Sequence, residues 1–523
     1  MSNSAKRRDF GVRGVCGILA RGDALEARRL SECQRAGLTS VEVRADLLVA
    51  NGGTLVTVLE RIRQLSDSGL PSLITLRHAE QGGEFRGSES ERIKFYREAL
   101  RAGAAAVDAE WGTETATTLL QEKSPLVASA HAFDRMLSAV ELDAMTAAMT
   151  AARPAAIKIV PLAERLTDSV RMLEWASRAP AGGPLRIGFA MGPRGAASRI
   201  LALAWGSPLT YANLDGAAVA PGQIPALELL EVYRADQLSA NTRVYGVVGD
   251  KALGSFSPYL HNPAFARRQI NAVYIPIQVE AFAEVTAVGD AMGLDGVSVT
   301  IPFKKDAFDF ATTTDDRSEQ AGATNTLLFR RDPGTNTCGA VRAFNTDYDG
   351  VLTPLKVHIP KLKNVPVAVI GNGGAARGAV LALKEAGASP TIYYRNAERG
   401  QPVAAQLSVP GQHLDTLPGD NPHVIINATP LGMAADDPSP VPRECLETKR
   451  SGKLSKVAFE MVYEPAETGF VKTARAAGAD IILGREMLVA QGVTQFAHFT
   501  GLTPEAEELE AGYQRGLELR GQH

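Results

Sequence analysis

The sequence predicts two α/β folds in one chain: an N-terminal (β/α)8 TIM barrel, then a two-lobed α/β region with a Rossmann-type nucleotide-binding half. Two observations predict this. About the first 235 residues repeat a short apolar run followed by a polar or helical stretch, and residues 366–378 read as an apolar strand, a glycine-rich turn and a helix start. A polar stretch, residues 235–242, separates the two regions and indicates a domain boundary.

Eight apolar runs in the first region are predicted as strands. They are Val15–Ala20, Ser40–Asp46, Ser72–Arg77, Ala105–Trp111, Leu126–Ala132, Ala155–Pro161, Leu185–Gly192 and Leu209–Gly216. The segments between them, such as Glu91–Arg101 and Arg165–Arg178, carry apolar residues at helical spacing. Eight strand–helix units in this length fit a (β/α)8 barrel, in which the chemistry takes place at the carboxyl ends of the strands.

The sixth run contains a lysine, Lys158, between Ile157 and Ile159. Burial in apolar surroundings lowers the pKa of a lysine, so that the free amine can attack a carbonyl and hold it as a Schiff base. The alternative is a lysine at a strand end whose ammonium group reaches water along its own apolar stem.

Other polar residues stand at or after the carboxyl ends of the predicted strands. They are Glu42, Arg44, Arg77, His131, Arg199 and Gln223. Each alone has a structural explanation, since Glu42 and Arg44 could form an ordinary ion pair and His131 could be a satisfied core histidine. Together, a histidine, a lysine and several arginines on one face indicate a site for an anionic carbonyl compound.

The motifs that carry these residues resemble type I 3-dehydroquinate dehydratase over nearly the whole first region. The matching segments are residues 42–44, 75–77, 82–83, 129–133, 157–159, 198–199 and 220–223. The resemblance implies that Lys158 forms the Schiff base, that His131 moves the protons and that Glu42 positions the histidine. It also implies a set of substrate-binding residues: Arg44, Arg77, Gln81, Arg199 and Gln223.

Two positions depart from that family. Gln81 stands where the family usually has a glutamate, and Val219 where it usually has a serine or threonine. Loss of one ligand hydrogen bond costs about 0.5–1.5 kcal/mol. We therefore expect a weaker or slower dehydratase.

The glycine-rich turn in the second region indicates a dinucleotide site. Gly371, Gly373, Gly374 and Ala375 follow an apolar strand and open a helix, which lets backbone N–H groups approach a pyrophosphate. The next strand ends without the acidic residue that usually binds the ribose of NAD. Its end carries Arg395, Asn396 and Arg399 instead. Two guanidinium groups suit a 2′-phosphate, which favours NADP over NAD; the alternative is two exposed arginines at a helix start.

Hydroxyl and amide side chains cluster in the segments that contain Lys304 and Asp347, as a polyhydroxylated ligand would need. Taken singly they could be turn residues beside a surface lysine. From Arg243 to Gly512 these segments resemble shikimate dehydrogenase, which implies that Lys304 and Asp347 form the catalytic pair. Lys304 would donate a proton to the carbonyl oxygen as hydride arrives.

The same resemblance implies two further sets of residues. The substrate-binding set is Ser255, Ser257, Thr300, Asn325, Tyr463 and Gln491. The cofactor-binding set adds Thr429, Met433 and Gly484 to the residues of the glycine turn and the arginine cluster. Gly254, Ser298 and Tyr394 depart mildly from the family pattern. Relatives that prefer quinate tend to lose the second of the two serine hydroxyl groups. Because both Ser255 and Ser257 are present, the resemblance favours shikimate over quinate.

The predicted domains are the barrel at 1–236, a substrate-binding lobe at 243–350, a Rossmann lobe at 351–488 and C-terminal helices at 489–523 that return to the substrate lobe. At 523 residues and 45% hydrophobic composition, the chain can form several cores.

The N-terminus lacks the apolar segment of a signal peptide and no membrane span is predicted, so we expect a cytoplasmic protein. Four dispersed cysteines and a net charge of −3 indicate no metal motif, no disulfide framework and no nucleic-acid partner.

The two resemblances together imply a bifunctional enzyme like the plant fusion. The barrel would dehydrate 3-dehydroquinate, and the second region would reduce the resulting 3-dehydroshikimate to shikimate with NADPH. Two alternatives are open: a shikimate or quinate dehydrogenase with a barrel that is only a scaffold, and a different Schiff-base enzyme such as an aldolase joined to a dehydrogenase for quinate-type substrates. The sequence predicts no oligomeric state.

Overall fold

The computed structural model describes residues 10–214, 222–332, 338–434, 436–447 and 455–521. By its internal contacts the chain forms two compact units, residues 1–294 with 514–523 and residues 295–513. The predicted limit at 236/243 falls inside the first unit and those at 350/351 and 488/489 inside the second, so these domain limits stay predictions. The two units are described separately below.

The first unit contains the eight predicted strands in an all-parallel sheet. They are β1 (Gly14–Leu19), β2 (Ser40–Arg44), β3 (Ser72–Thr75), β4 (Ala106–Glu110), β5 (Leu126–Ala132), β6 (Ala156–Pro161), β7 (Leu185–Gly188) and β8 (Leu209–Asn213), followed by the short β9 (Ile224–Pro225). Their order in the sheet is β7-β6-β5-β4-β3-β2-β1-β8-β9, the order of strands around a (β/α)8 barrel.

Aromatic side chains pack together near the two ends of the hydrogen-bonded sheet. The hydrogen-bonded sheet has β7 at one end and β8 with β9 at the other, without a ladder between β7 and β8 in the part of the chain described. The rings of Phe189, which follows β7, and Tyr211 of β8 lie 5.7 Å apart at 53°. Both belong to one buried cluster with Cys16, Ile18 and Val160, which fills the space enclosed by the sheet.

Helices follow the strands, as the sequence predicts. They are α1 (Ala24–Arg35), α2 (Ala45–Ala50), α3 (Leu55–Asp67), α4 (Glu89–Arg101), α5 (Glu114–Gln121), α6 (Ala139–Ala152), α7 (Leu166–Ser177) and α8 (Ala196–Leu201). Capping boxes fix the starts of several of them; for example, Ser88 and Glu91 cap α4, and Ser138 and Glu141 cap α6. These caps satisfy backbone N–H groups that have no partner within the helix.

The rest of the first unit comprises β10 (Arg243–Gly249), α9 (Ser257–Arg267), β11 (Ala272–Gln278), α10 (Ala283–Met292) and residues 514–521. The strands β10 and β11 pair in parallel over their full length. This part contacts the barrel region at the start of α7, where the Leu166 N–H donates to the Glu284 carboxylate over 2.8 Å.

The second unit contains two sheets. The strands β12 (Leu294–Val299), β14 (Thr326–Arg331) and β15 (Cys338–Phe344) pair antiparallel, and β13 (Thr313–Thr314) joins β15 in parallel. The other sheet is wholly parallel and consists of β16 (Pro366–Ile370), β17 (Ser389–Tyr394), β18 (Gly411–His413), β19 (Val424–Asn427), β20 (Val457–Glu460) and β21 (Asp480–Ile482). Its order, β18-β17-β16-β19-β20-β21, is the Rossmann order 3-2-1-4-5-6, which confirms the predicted fold class.

The helices of the second unit position the polar residues discussed below. They are α11 (Lys304–Phe310), α12 (Asp316–Ala321), α13 (Asp347–His358), α14 (Gly374–Glu385), α15 (Ala397–Gln406), α16 (Leu417–Asp420), α17 (Gly469–Ala477), α18 (Gly484–Thr500) and the first half of α19 (Ala506–Gly521). A buried cluster that includes Val351, Val369, Val380 and Ile426 joins α13 and α14 to the Rossmann sheet.

Candidate active sites

Lys158 lies buried inside the barrel, with 5% of its surface exposed. Its Nζ donates to Oδ2 of Asp108 over 3.1 Å, and Oε1 of Glu42 lies 3.9 Å away. The same Nζ stands 4.3 Å from the centre of the Tyr211 ring. Lys158 is therefore held between two carboxylates and an aromatic face, and does not extend its ammonium group to water.

Sequence reasoning missed Asp108. This residue of β4 is fully buried, accepts a hydrogen bond from Ser129 Oγ over 2.6 Å, and lies 3.5 Å from the guanidinium of Arg77. Burial alone would raise the pKa of Asp108, but the positive charges of Lys158 and Arg77 outweigh it and lower the pKa. A signal was available, because Asp108 and Glu110 stand two apart in an otherwise apolar strand and so point to the same face.

The imidazole of His131 is contacted by Arg77, whose Nη1 lies 3.3 Å from Nε2. Because a guanidinium only donates, Nε2 accepts in this contact and the ring is neutral. Burial and the charges of Arg77 and Lys158 lower the pKa of His131 well below its ordinary value. Glu42 accepts from Thr75 Oγ1 over 2.7 Å, and the side-chain contact to His131 comes from Arg77, so the positioning role of Glu42 stays a prediction.

The predicted residues converge on one cavity at the carboxyl ends of the strands. Among its lining residues are Glu42, Arg44, Arg77, His131, Lys158, Arg199 and Gln223. Arg44 forms two hydrogen bonds with the carboxylate of Asp46, at 3.0 and 2.7 Å. Arg199 stacks on Phe189 at 4.6 Å, and burial lowers its pKa to about 10. A bound carboxylate would stabilise these buried positive charges.

Gln81, one of the two departures from the dehydratase pattern, lies apart from this set. Gln81 is exposed in the 3-10 turn Ala79–Gln81 and is not among the residues that line the cavity, although the neighbouring Gly82 is. Val219 lies outside the described residues, as does Pro221 of the same segment.

A second polar cluster lies in the second unit around Lys304 and Asp347, which form a direct ion pair. Asp347 begins α13, and its Oδ1 accepts from Asn325 Nδ2 over 2.9 Å. The Asn325 side chain is itself fixed, because its Oδ1 accepts from the Thr346 N–H over 2.9 Å. The carboxylate of Asp347 is therefore held in one orientation by an amide and an ammonium group.

The other predicted substrate residues occupy several elements. Gln491 on α18 accepts from Thr346 Oγ1 over 3.5 Å, which places it beside the Asn325 network. Thr300 directly follows β12, and Tyr463 follows β20; both are partly exposed. Ser255 and Ser257 belong to the first unit, where their hydroxyl oxygens lie 3.1 Å apart at the start of α9.

The glycine turn leads from β16 into α14, at the point where the strand order of the Rossmann sheet reverses. Gly371 has φ +116°, and a Cβ there would lie 3.0 Å from the carbonyl oxygen of Ala428. A Cβ at Gly373 or Gly374 would meet no atom within 4 Å, so both glycines face open space beside the helix start, next to Ala375. This arrangement fits a pyrophosphate on the backbone N–H groups.

The arginine cluster lies at the end of the neighbouring strand β17. Arg395 and Arg399 are exposed, and Asn396 caps α15 by accepting from the Arg399 N–H over 3.2 Å. An open glycine turn with two exposed guanidinium groups beside it fits a dinucleotide that carries a 2′-phosphate.

Three further predicted cofactor residues lie around the same sheet. Thr429 follows β19 and donates from Oγ1 to Asn427 over 2.7 Å, while Met433 is 65% exposed. Gly484 begins α18, where a Cβ would lie 2.4 Å from the Val462 carbonyl oxygen, so this position requires glycine for the close backbone approach.

Within the described ranges, no group of three or more His, Cys, Asp or Glu side chains could hold a metal ion. In that same part of the chain, no helix is both long enough and apolar enough to cross a membrane.

Two family models match the chain: type I 3-dehydroquinase at residues 16–240 and the shikimate dehydrogenase substrate binding domain at residues 247–327. The bifunctional 3-dehydroquinate dehydratase/shikimate dehydrogenase of Arabidopsis thaliana, a chloroplastic protein, is 31% identical over 502 residues, which cover 92% of this chain and 80% of that protein. A shikimate dehydrogenase (NADP(+)) of Methanocella arvoryzae is 36% identical over 283 residues, 52% of this chain and 99% of its own.

Among solved structures, the dehydroquinate dehydratase and shikimate dehydrogenase of S. pombe AroM is 25% identical with a TM-score of 0.45, and covers 96% of this chain and 98% of its own. The matches to both halves do not favour a barrel that serves only as a scaffold. The chain belongs to the family of bifunctional 3-dehydroquinate dehydratase/shikimate dehydrogenases.

Proposed function

We propose that the barrel dehydrates 3-dehydroquinate through a Schiff base on Lys158, and that the second site reduces the resulting 3-dehydroshikimate to shikimate with NADPH. The observation that carries the first step is the convergence of Lys158, His131 and three arginines on one cavity. A nucleophilic amine, a neutral base and anion-binding groups are what such a reaction needs.

In the dehydration, the ammonium group of Lys158 gives a proton to the neutral ring of His131, and the free amine attacks the ketone carbon. The carbinolamine takes that proton back on its oxygen and loses water, which gives an iminium ion and returns His131 to its neutral form. The iminium group acidifies the adjacent C–H bond. His131 removes that proton, which is possible at neutral pH because the lowered pKa keeps its ring neutral. The hydroxyl group on the next carbon then leaves as water with a proton from His131, and hydrolysis of the iminium ion frees Lys158 and the unsaturated ketone.

Arginine side chains support the binding of an anionic substrate in this cavity. Arg199 is buried, and its lowered pKa reports the cost of keeping its charge away from water. A substrate carboxylate beside it would offset that cost, and Arg44 and Gln223 line the same cavity. Asp108 is not placed to bind a carboxylate, and we assign it to holding Lys158.

In the reduction, Lys304 donates the proton that the carbonyl oxygen needs as hydride is added to its carbon. Asp347 keeps the ammonium group of Lys304 aligned, and Asn325 keeps Asp347 oriented. Negative charge that develops on the substrate oxygen is stabilised by an ammonium group already in place.

NADPH, when bound, supplies the hydride. Gly371, Gly373 and Gly374 would hold its pyrophosphate at the start of α14, and Arg395 and Arg399 would bind the 2′-phosphate. The shikimate dehydrogenases to which this chain is similar are named for NADP(+), which supports the same choice.

Trapping of the covalent intermediate tests the first step. Borohydride added with 3-dehydroquinate should fix mass on the peptide that contains Lys158, and the Lys158→Ala variant should show none. Mass on any other lysine, or no mass in the wild-type chain, would contradict the Schiff-base assignment.

A further inference from the structure

The end of helix α19 contacts the turn that carries the two proposed substrate serines. Arg520 donates from Nη1 to the carbonyl oxygen of Gly254 over 3.0 Å and from Nη2 to that of Ser255 over 2.9 Å. One planar guanidinium group thus binds two successive carbonyl groups of the turn between β10 and α9. A rigid fork of donors is suited to holding two acceptors at a fixed spacing.

Aromatic contacts fix the guanidinium group itself. Arg520 lies 4.0 Å from the ring centre of Phe256 and 5.1 Å from that of Tyr259, so it stacks on the residues that flank the start of α9. Gly516 permits the approach, because a Cβ there would lie 2.8 Å from Cγ of Tyr259. The helix end is packed against this turn and not merely near it.

A carboxylate from the end of the barrel region completes the cluster. Glu228, in the π-helical segment Glu228–Val232, accepts hydrogen bonds from the hydroxyl groups of Tyr233 and Tyr259. Burial raises the pKa of Glu228, and the positive charge of Arg520 opposes that rise. The carboxylate of Glu228 therefore interacts electrostatically with the guanidinium group of Arg520.

The turn that Arg520 contacts also has local hydrogen bonds of its own: the Gly254 N–H donates to the Lys251 carbonyl and the Ser255 N–H to the Ala252 carbonyl, both over 3.0 Å. The Ser257 N–H donates to Ser255 Oγ over 3.1 Å, and the two hydroxyl oxygens are 3.1 Å apart. All of these contacts are local, within residues 251–257. The hydrogen bonds from Arg520 to the carbonyl groups of Gly254 and Ser255 add a long-range contact, which ties the turn to the final helix.

We propose that Arg520 is a positioning residue for the dehydrogenase reaction, which holds the Gly254–Ser257 turn so that both serine hydroxyl groups are set to bind the substrate. The proposal rests on the proposed function, in which Ser255 and Ser257 bind shikimate. It assigns a role in substrate affinity to a residue near the end of the chain that does not itself touch the substrate.

The test compares substitutions in the full-length chain by the Michaelis constants for shikimate and NADP. Arg520→Ala should raise the KM for shikimate about tenfold, because two charge-assisted hydrogen bonds to the turn are lost. The KM for NADP and the dehydratase activity should stay unchanged, and Arg520→Lys should recover part of the affinity. Arg515→Ala is the matched control, since Arg515 lies on the same helix and pairs with Glu231 near the surface.

A KM for shikimate within about twofold of the wild-type value in Arg520→Ala would overturn the proposal, as would an equal rise in Arg515→Ala. If Arg520→Ala fails to fold, Arg520→Gln, which keeps a polar stem, is judged by the same criterion. Ser255→Ala separates the two hypotheses. If it leaves the KM for shikimate unchanged, the proposed substrate role of the serines fails; if it raises this KM while Arg520→Ala does not, only the inference about Arg520 fails.

Discussion

Lys158 donates to Asp108 across the interior of the barrel, from β6 to β4, over 3.1 Å. Both side chains are buried, and the second carboxylate near Lys158, that of Glu42, is farther away at 3.9 Å. The amine that we propose as nucleophile is thus oriented mainly by one buried acid.

Asp108→Asn should therefore impair the dehydratase and destabilise the barrel. The substitution keeps the shape of the side chain but leaves Lys158 and Arg77 with less negative charge around them, and loss of one partner from a buried ion pair costs about 3–5 kcal/mol. Dehydratase kcat and the thermal unfolding of the chain measure the two effects. Asp309→Asn, which breaks the exposed pair with Lys305, is the control. Equal behaviour of the two variants would contradict the role given to Asp108.

The lowered pKa of His131 predicts how the dehydratase responds to acid. Because burial and the charges of Arg77 and Lys158 disfavour its protonation, the ring stays a base below the ordinary histidine value. The acid limb of kcat/KM should therefore have its midpoint below about pH 6.5. A midpoint at or above this value in the pH profile would contradict a neutral His131 in the free enzyme.

The same pKa shift predicts a loss of stability in acid. The folded chain binds the His131 proton more weakly than the unfolded chain, so the unfolded state carries an extra proton between the two pKa values. The stability that this group contributes is present above about pH 6.5 and declines as the pH falls towards the lowered value, by up to about 1.4 kcal/mol per pH unit. His131→Gln should lose less thermal stability than the wild type between about pH 7 and about pH 5. Parallel losses would contradict the prediction.

Lys304→Ala should abolish most of the shikimate dehydrogenase activity. Loss of a proton donor at the carbonyl oxygen lowers kcat by about 10²–10⁴-fold. NADP binding, measured by fluorescence titration, and the dehydratase activity should remain. The adjacent Lys305→Ala is a matched control, because Lys305 is exposed and pairs with Asp309 along α11. Similar loss in both variants would show that the effect is not specific to Lys304.

Arg395→Ala combined with Arg399→Ala should weaken NADP binding and leave NAD binding unchanged. Each hydrogen bond to a charged group contributes about 1.5–3 kcal/mol, so the KM for NADP should rise at least about tenfold. Arg377→Ala is the control, since this arginine of α14 donates to Gln406 over 2.7 Å. An equal rise in the KM values for NADP and NAD would mean that the arginines do not recognise the 2′-phosphate.

The arrangement of strands was open to prediction because the apolar runs alternate regularly with helical segments. The fifth run, Leu126–Ala132, has the same bounds in the structure, and the ends of the others differ by a few residues. Parallel strands in a barrel place their carboxyl ends on one face. The strand pattern alone therefore predicts that Lys158 and His131 share a cavity, as they do.

Contacts beyond the strand ends could not be predicted in this way. Arg77, two residues after β3, contacts His131 of β5, and its own carbonyl accepts from the Phe85 N–H over 3.1 Å. The approach of Arg520 to the serine turn depends on the path of the final helix, since the two are 265 residues apart in sequence. No local pattern marks either contact.

The most direct test of the two-step account is NADPH consumption by the purified full-length chain given 3-dehydroquinate alone. The account predicts oxidation of NADPH with formation of shikimate, and predicts that Lys158→Ala abolishes it while oxidation with 3-dehydroshikimate continues. Oxidation with 3-dehydroshikimate but not with 3-dehydroquinate in the wild-type chain would contradict a catalytic barrel.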